Sequence, residues 1–203
     1  MIRLLFVLML LVAPVGAHAQ DKAQDKPDFA QSLIKAAREQ IGVTVTYDPA
    51  YVSIPFPGGD VPMDRGVCTD VVVRAYRGVG ADLQLLVNRD MHKAFRSYPR
   101  AWGLKRPDAN IDHRRVLNLN VFFKRHGKSL PITQEPADYK PGDIVAWTLP
   151  DGRPHIGLVT DKKEGDTPLI VHNIGWGARE ENILFTLKII GHFRYAPKIK
   201  EKP

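Results

Sequence analysis

The sequence predicts an α+β domain in which N-terminal helices pack on a C-terminal antiparallel sheet, and three observations predict it. Helical spacing of apolar residues runs up to His126, short β-rich runs begin at Ile144, and the two kinds of segment never alternate as βαβ units. A chain of 203 residues with 44% hydrophobic and 25% charged side chains is long enough to bury a core and too apolar to be disordered throughout. The single cysteine excludes an internal disulfide framework and any zinc site built on several thiolates.

The elements follow in order. Residues 1–19, MIRLLFVLMLLVAPVGAHA, place Arg3 before an apolar run from Leu4 to Val12, then Pro14 and Gly16 as breakers, then Ala17-His18-Ala19 as a small-x-small cleavage site. That is the layout of a cleavable signal peptide, and the apolar run is short of the roughly 20 residues a spanning helix needs. The mature chain is therefore expected to be exported, periplasmic or secreted, without a membrane span. Removing Arg3 takes the net charge from +7 to 7 − 1 = +6. Residues 20–27 read as a flexible leader, and residues 28–203 as one domain.

Asp28 is placed to cap a helix to about Ile41, with Phe29, Leu33, Ala37 and Ile41 on one face and Gly42 closing it. Residues 43–64 carry four prolines and two glycines and are expected to be loop with at most short extended pieces. Further helices are predicted from Cys68 to Val79, closed by Gly80, and from Asp82 to Arg96, with Leu83, Val87, Met91 and Phe95 inward. Another runs from a cap at Asp112 to His126, stopped by Gly127. Strands are expected at Ile144–Leu149, Ile156–Thr160, Leu169–His172, Ile183–Ile190 and His192–Tyr195, with Pro150-Asp151-Gly152 turning the first into the second.

The chemistry-bearing residues cluster around the cysteine. Cys68 stands where a proline- and glycine-rich loop meets an apolar helix, so its sulfur meets unpaired backbone N–H groups and the positive end of the helix dipole. Both favour the thiolate, the form that attacks a carbonyl carbon, and the same amides suit an oxyanion. His155 opens the run HIGLVTD and His172 closes LIVHN, so adjacent strands can set one imidazole against the thiol while the other fixes its tautomer. Tyr47 and Tyr51 precede the cysteine and suit a substrate wall, core packing or loop anchoring. Trp176 lies in a Gly-Trp-Gly loop beside His172, within reach of a substrate. Asp108, Asp112 and His113 offer a weak metal signature that helix capping by Asp112 explains more simply. No cofactor or metal is called for. The many central arginines read as a solvated helical face and lack the interleaved aromatics of a nucleic-acid binder.

The order of a helix-capping Cys68, Lys140-Pro141-Gly142-Asp143-Ile144-Val145, His155-Ile156-Gly157-Leu158-Val159 and Val171-His172 resembles NlpC-type cysteine peptidases of the papain-like superfamily. Residues 28–196 resemble more closely an exported bacterial family, domain of unknown function 1287, through PGGDVPMDRGVCTDVVVRAYR, DANIDHRR, KPGDIVAW and VHNIG. The resemblance implies a circularly permuted papain-like fold, with Cys68 as nucleophile, His155 as base and His172 as the residue that orients it; Asn173 is the rival orienter. Cys-Thr-Asp stands where NlpC-type sequences usually have Cys-Ser-Gly, which leaves Asp70 either to repel an acidic substrate or to recognise an ammonium group. The expected function is hydrolysis of an amide bond in peptidoglycan stem peptides, with peptidoglycan or muropeptides as substrate. A non-catalytic, basic envelope-binding module is the alternative, and a metal-dependent hydrolase using Asp112 and His113 a third.

Overall fold

The computed structural model describes residues 28–197. The signal peptide and leader expected at 1–19 and 20–27 lie outside the described residues, as do residues 198–203. No helix among the described residues is long and apolar enough to cross a membrane.

Four helices precede most of the sheet: α1 Phe29–Arg38, α2 Cys68–Gly78, α3 Leu83–Ala94 and α4 Val116–His126. Helix α1 buries Leu33, Ile34 and Ala37. It ends three residues before Ile41, which is exposed rather than part of the buried face. Gly42 and Gly80 follow the first two helices with φ of 78° and 85°, the left-handed conformation expected of glycine at these positions. Helix α2 is buried along every residue from Cys68 to Tyr76, as a helix must be when it is packed on several sides; it contacts α1, α3 and the sheet. The segment 43–64 holds only a two-residue strand, β1 Thr46–Tyr47, which pairs in parallel with β2 Arg65–Gly66.

The remaining strands are β3 Lys128–Ser129, β4 Ile144–Thr148, β5 Pro154–Glu164, β6 Thr167–His172, β7 Arg179–Glu181 and β8 Lys188–Arg194. They form one antiparallel sheet in the order β3-β8-β4-β5-β6-β7. The predicted hairpin is present, with Ile144 opposite Leu158 and Trp147 opposite His155. Strand β4 is buried on both faces. Ile144 and Ala146 join Val71, Val72, Tyr76 and Phe123 in the core beneath the helices, while Val145 and Trp147 join Tyr139, Val159, Ile170 and Leu184 in a second core. This explains its unbroken apolar run.

Two expectations are corrected. The run Ile183–Ile190 is not one strand: residues 184–186 turn, Thr186 N–H donating to the Ile183 carbonyl, and the Trp147 indole N–H holds the Leu184 carbonyl at 2.9 Å. Its last residues instead continue through Gly191 into β8, with an irregular register between Ala146 and Trp147. Asp112 does not cap α4. It opens a 3-10 turn, Asp112–Arg114, and extended Arg115 separates that turn from the helix. The Asp112 carboxylate accepts from Asp108 N–H and the Arg115 guanidinium.

Candidate active site

The loop into α2 is held by a buried ion pair. The Asp70 carboxylate accepts the Val67 N–H at 2.7 Å, closing the first turn of the helix one residue before Cys68. Arg114 grips the same carboxylate with two N–H groups at 2.8 and 2.9 Å and donates to the Ala50 and Asp48 carbonyls. Asp70 is only 2% exposed, so it neither repels nor recognises a substrate; it ties the loop before the cysteine to the helix start. Gly66 completes the fit, because a Cβ there would lie 2.9 Å from the Asp70 carboxylate. Asn173 serves the same loop, donating to the Gly66 carbonyl at 3.1 Å and accepting Gly175 N–H. It makes no hydrogen bond to His155 among the described residues, whereas His172 does.

His155 is the second residue of β5 and His172 ends the adjacent antiparallel β6, so both lie at the same end of the sheet. His155 Nε2 and His172 Nδ1 are 3.0 Å apart with the rings nearly perpendicular, and His172 Nε2 lies 3.1 Å from a carboxylate oxygen of Glu181 on β7. Gly157 permits this approach: a Cβ would stand 2.5 Å from Ile170 Cγ2 and 3.1 Å from His172 Cβ. The bonds leave His155 Nδ1 as the nitrogen free to take a proton. Glu181 was not singled out in the sequence, where nothing local distinguishes it from Glu180; only the pairing of β6 with β7 brings it to His172.

The thiol is only 4% exposed, and burial pushes its pKa up to about 12, outweighing the backbone N–H groups of Ile156, Thr69 and Cys68 that act to lower it. This reverses the expectation of a resting thiolate. Burial, with the neighbouring His172, pulls His155 down to about 3. Burial also lowers His172, against the pull of the Glu181 carboxylate, which favours its charged form. The resting pair is thus a neutral thiol and a neutral imidazole.

Cys68 and His155 line a common cleft of about 340 Å³, walled by Tyr47, Trp102, Leu149 and Ile174 among others. Of the two tyrosines weighed in the sequence, Tyr47 reaches this cleft. Tyr51 lies apart, its hydroxyl bonded to Asp108 and Asn110, and lines a neighbouring depression. Trp176 is 75% exposed and outside the cleft wall, where Ile174 takes the place expected of it. Asp112 and His113 do not form a metal centre: the carboxylate is engaged as described, and no group of three or more metal-binding side chains is assembled among the described residues.

A thiol at a helix start, two hydrogen-bonded strand histidines and a terminal carboxylate thus define a Cys–His–His–Glu arrangement at one end of an α+β domain. Residues 34–195 match the family described as Domain of unknown function (DUF1287), and the chain belongs to that family. It is 55% identical over 199 residues to "Uncharacterized protein YijF" of Escherichia coli (strain K12), covering 94% of this chain and 97% of that protein. Among solved structures it is similar to "Structure of NlpC1 from Trichomonas vaginalis", with a TM-score of 0.48 and 13% identity over 86% of this chain. The chain spans about half, 47%, of the length of that neighbour.

Proposed function

We propose that the protein is an exported thiol hydrolase that cleaves an amide bond in peptidoglycan stem peptides. The supporting observation is the meeting of Cys68 and His155 in one cleft, with His155 backed by His172 and Glu181. The amide carbonyl enters the cleft beside the sulfur. His155 takes the thiol proton at Nδ1 as the sulfur–carbon bond forms, and the carbonyl electron pair moves onto oxygen, within reach of N–H groups at the start of α2. His172 and Glu181 stabilise the imidazolium through Nε2. As the carbon–nitrogen bond breaks, the leaving amine carries that proton away. Water, deprotonated by His155, then attacks the thioester, and cleavage of its carbon–sulfur bond releases the acid and the restored thiol. Asp70 and Arg114 position the helix start without touching substrate.

The test is digestion of purified sacculi by wild type and Cys68→Ala, with soluble products resolved by chromatography and mass spectrometry. New muropeptides are expected with wild type alone. Unchanged walls across a panel of stem-peptide chemistries, or equal digestion by both proteins, would overturn the reading.

A further inference from the structure

The chemistry of the cleft wall goes beyond the nucleophile and its base. Three arginines, Arg114, Arg115 and Arg153, line the cleft, and no acidic side chain does. Arg114 is consumed by Asp70 and two backbone carbonyls. The other two are not. Arg115 gives one nitrogen to Asp112 at 3.0 Å and lays its guanidinium 4.3 Å from the Trp102 ring centre; its Nε and second terminal nitrogen have no hydrogen-bond partner among the described residues. The ring and Asp112 fix the orientation of that fork in advance. Arg153, in the turn before His155, pairs with Asp151 on an open surface, where both side chains are largely solvated and exchange partners at little cost. Arg153 lines the same cleft wall as Tyr47, Cys68 and His155, two residues before the histidine.

We propose that Arg115 and Arg153 form a carboxylate-binding subsite, so that the cleft selects peptides carrying a free carboxylate close to the scissile amide. The assignment rests on the hydrolase reading for its substrate, although binding is measurable without turnover. Two guanidinium groups around a part-enclosed, partly apolar cleft give charge-assisted hydrogen bonds where water competes poorly. An amidated or neutral peptide of the same length offers neither guanidinium an acceptor of opposite charge beyond Asp112 and Asp151. An ammonium group beside the scissile bond is disfavoured by the same two charges.

The experiment uses muropeptides released from sacculi by a muramidase, native or converted to carboxamides with carbodiimide and ammonia. Calorimetric titration into Cys68→Ala measures binding without cleavage. Amidation is expected to weaken binding about tenfold or more, as is Arg115→Gln or Arg153→Gln with the native ligand. On the amidated ligand the arginine substitutions are expected to cost nothing further, a non-additivity that a merely structural arginine would not give. Arg153 lies on a surface turn, so its variant remains informative even where Arg115→Gln loosens the cleft. Equal affinity for both ligands, or equal losses on both, overturns the subsite. Wild-type cleavage of both ligands with equal kcat/KM overturns the subsite and leaves the hydrolase standing. Carboxylate-dependent, arginine-dependent binding with no cleavage by wild type overturns the hydrolase and leaves the subsite standing.

Discussion

Two histidine–carboxylate groups sit on the same sheet, one reaching a cleft that also holds a thiol and the other closed upon itself. In the first, the Glu181 carboxylate binds His172, His172 binds His155, and His155 keeps one nitrogen for the cleft that it shares with Cys68. In the second, Asp143 is fully buried in the Pro141-Gly142-Asp143 turn and accepts from the Lys140 N–H, His192 and two nitrogens of Arg194. His192 has its other nitrogen 2.9 Å from the Pro131 carbonyl and its ring stacked on Tyr139, so both nitrogens are committed. Residue types are shared; what differs is a free nitrogen and a neighbouring nucleophile. The Pro-Gly-Asp turn, which carries much of the resemblance seen in the sequence, therefore acts as a latch joining β4 to β8 and leaves the chemistry to the other end of the sheet.

The largest expected effect breaks the first group. His155→Ala is expected to lower the hydrolysis rate by about 10⁴-fold, while thermal unfolding shows the fold intact. A loss below tenfold would remove His155 from the chemistry.

Next comes the second group. Asp143→Asn leaves Arg194 without its counter-charge and is expected to cost about 3 kcal/mol in denaturant unfolding, with kcat per folded molecule retained. Burial opposes ionisation of Asp143, but the bonds from His192 and Arg194 prevail and hold its pKa below the usual carboxylate value. A carboxylate depressed in the folded state stabilises above its unfolded pKa of about 4, and that stability is lost as pH falls through the lower folded value. The variant should therefore show a flatter acid limb in its stability profile. An unchanged limb would show that the latch contributes nothing.

The smallest effect sharpens the comparison. Glu181→Gln keeps a hydrogen-bonding group but removes the charge, and is expected to lower kcat about tenfold, near 1.4 kcal/mol, with KM unchanged. Because the carboxylate favours charged His172, its removal should shift the acidic limb of the kcat profile to lower pH. A fall in stability with no change in that profile would make Glu181 a structural residue.

Much of this was legible where the signal is local. The loop-to-helix transition at Cys68, the turn at residues 150–152 and the apolar runs ending in His172 are each written within a few residues, and they place the cysteine and both histidines. What was misread depends on distant partners. The ILFTLKII run is rich in β-branched and aromatic residues, yet Leu184 is drawn into the second core beside Trp147 and breaks it. Asp112 has the composition of a helix cap but is claimed by Asp108 N–H and Arg115. Asp70 looked free to meet substrate because its partner, Arg114, is 44 residues away. The helix start at Cys68, which favours the thiolate, is visible in sequence, whereas the burial that outweighs it is not.

The claim that Cys68 is the nucleophile of an acyl-transfer site is tested most directly by intact-mass spectrometry of the protein, acid-quenched during turnover of native muropeptides. The account predicts an added acyl mass in wild type, located by peptide mapping to Cys68, that decays as product accumulates and is absent from Cys68→Ala. Product formation by Cys68→Ala at the wild-type rate, with no adduct on either protein, would contradict it.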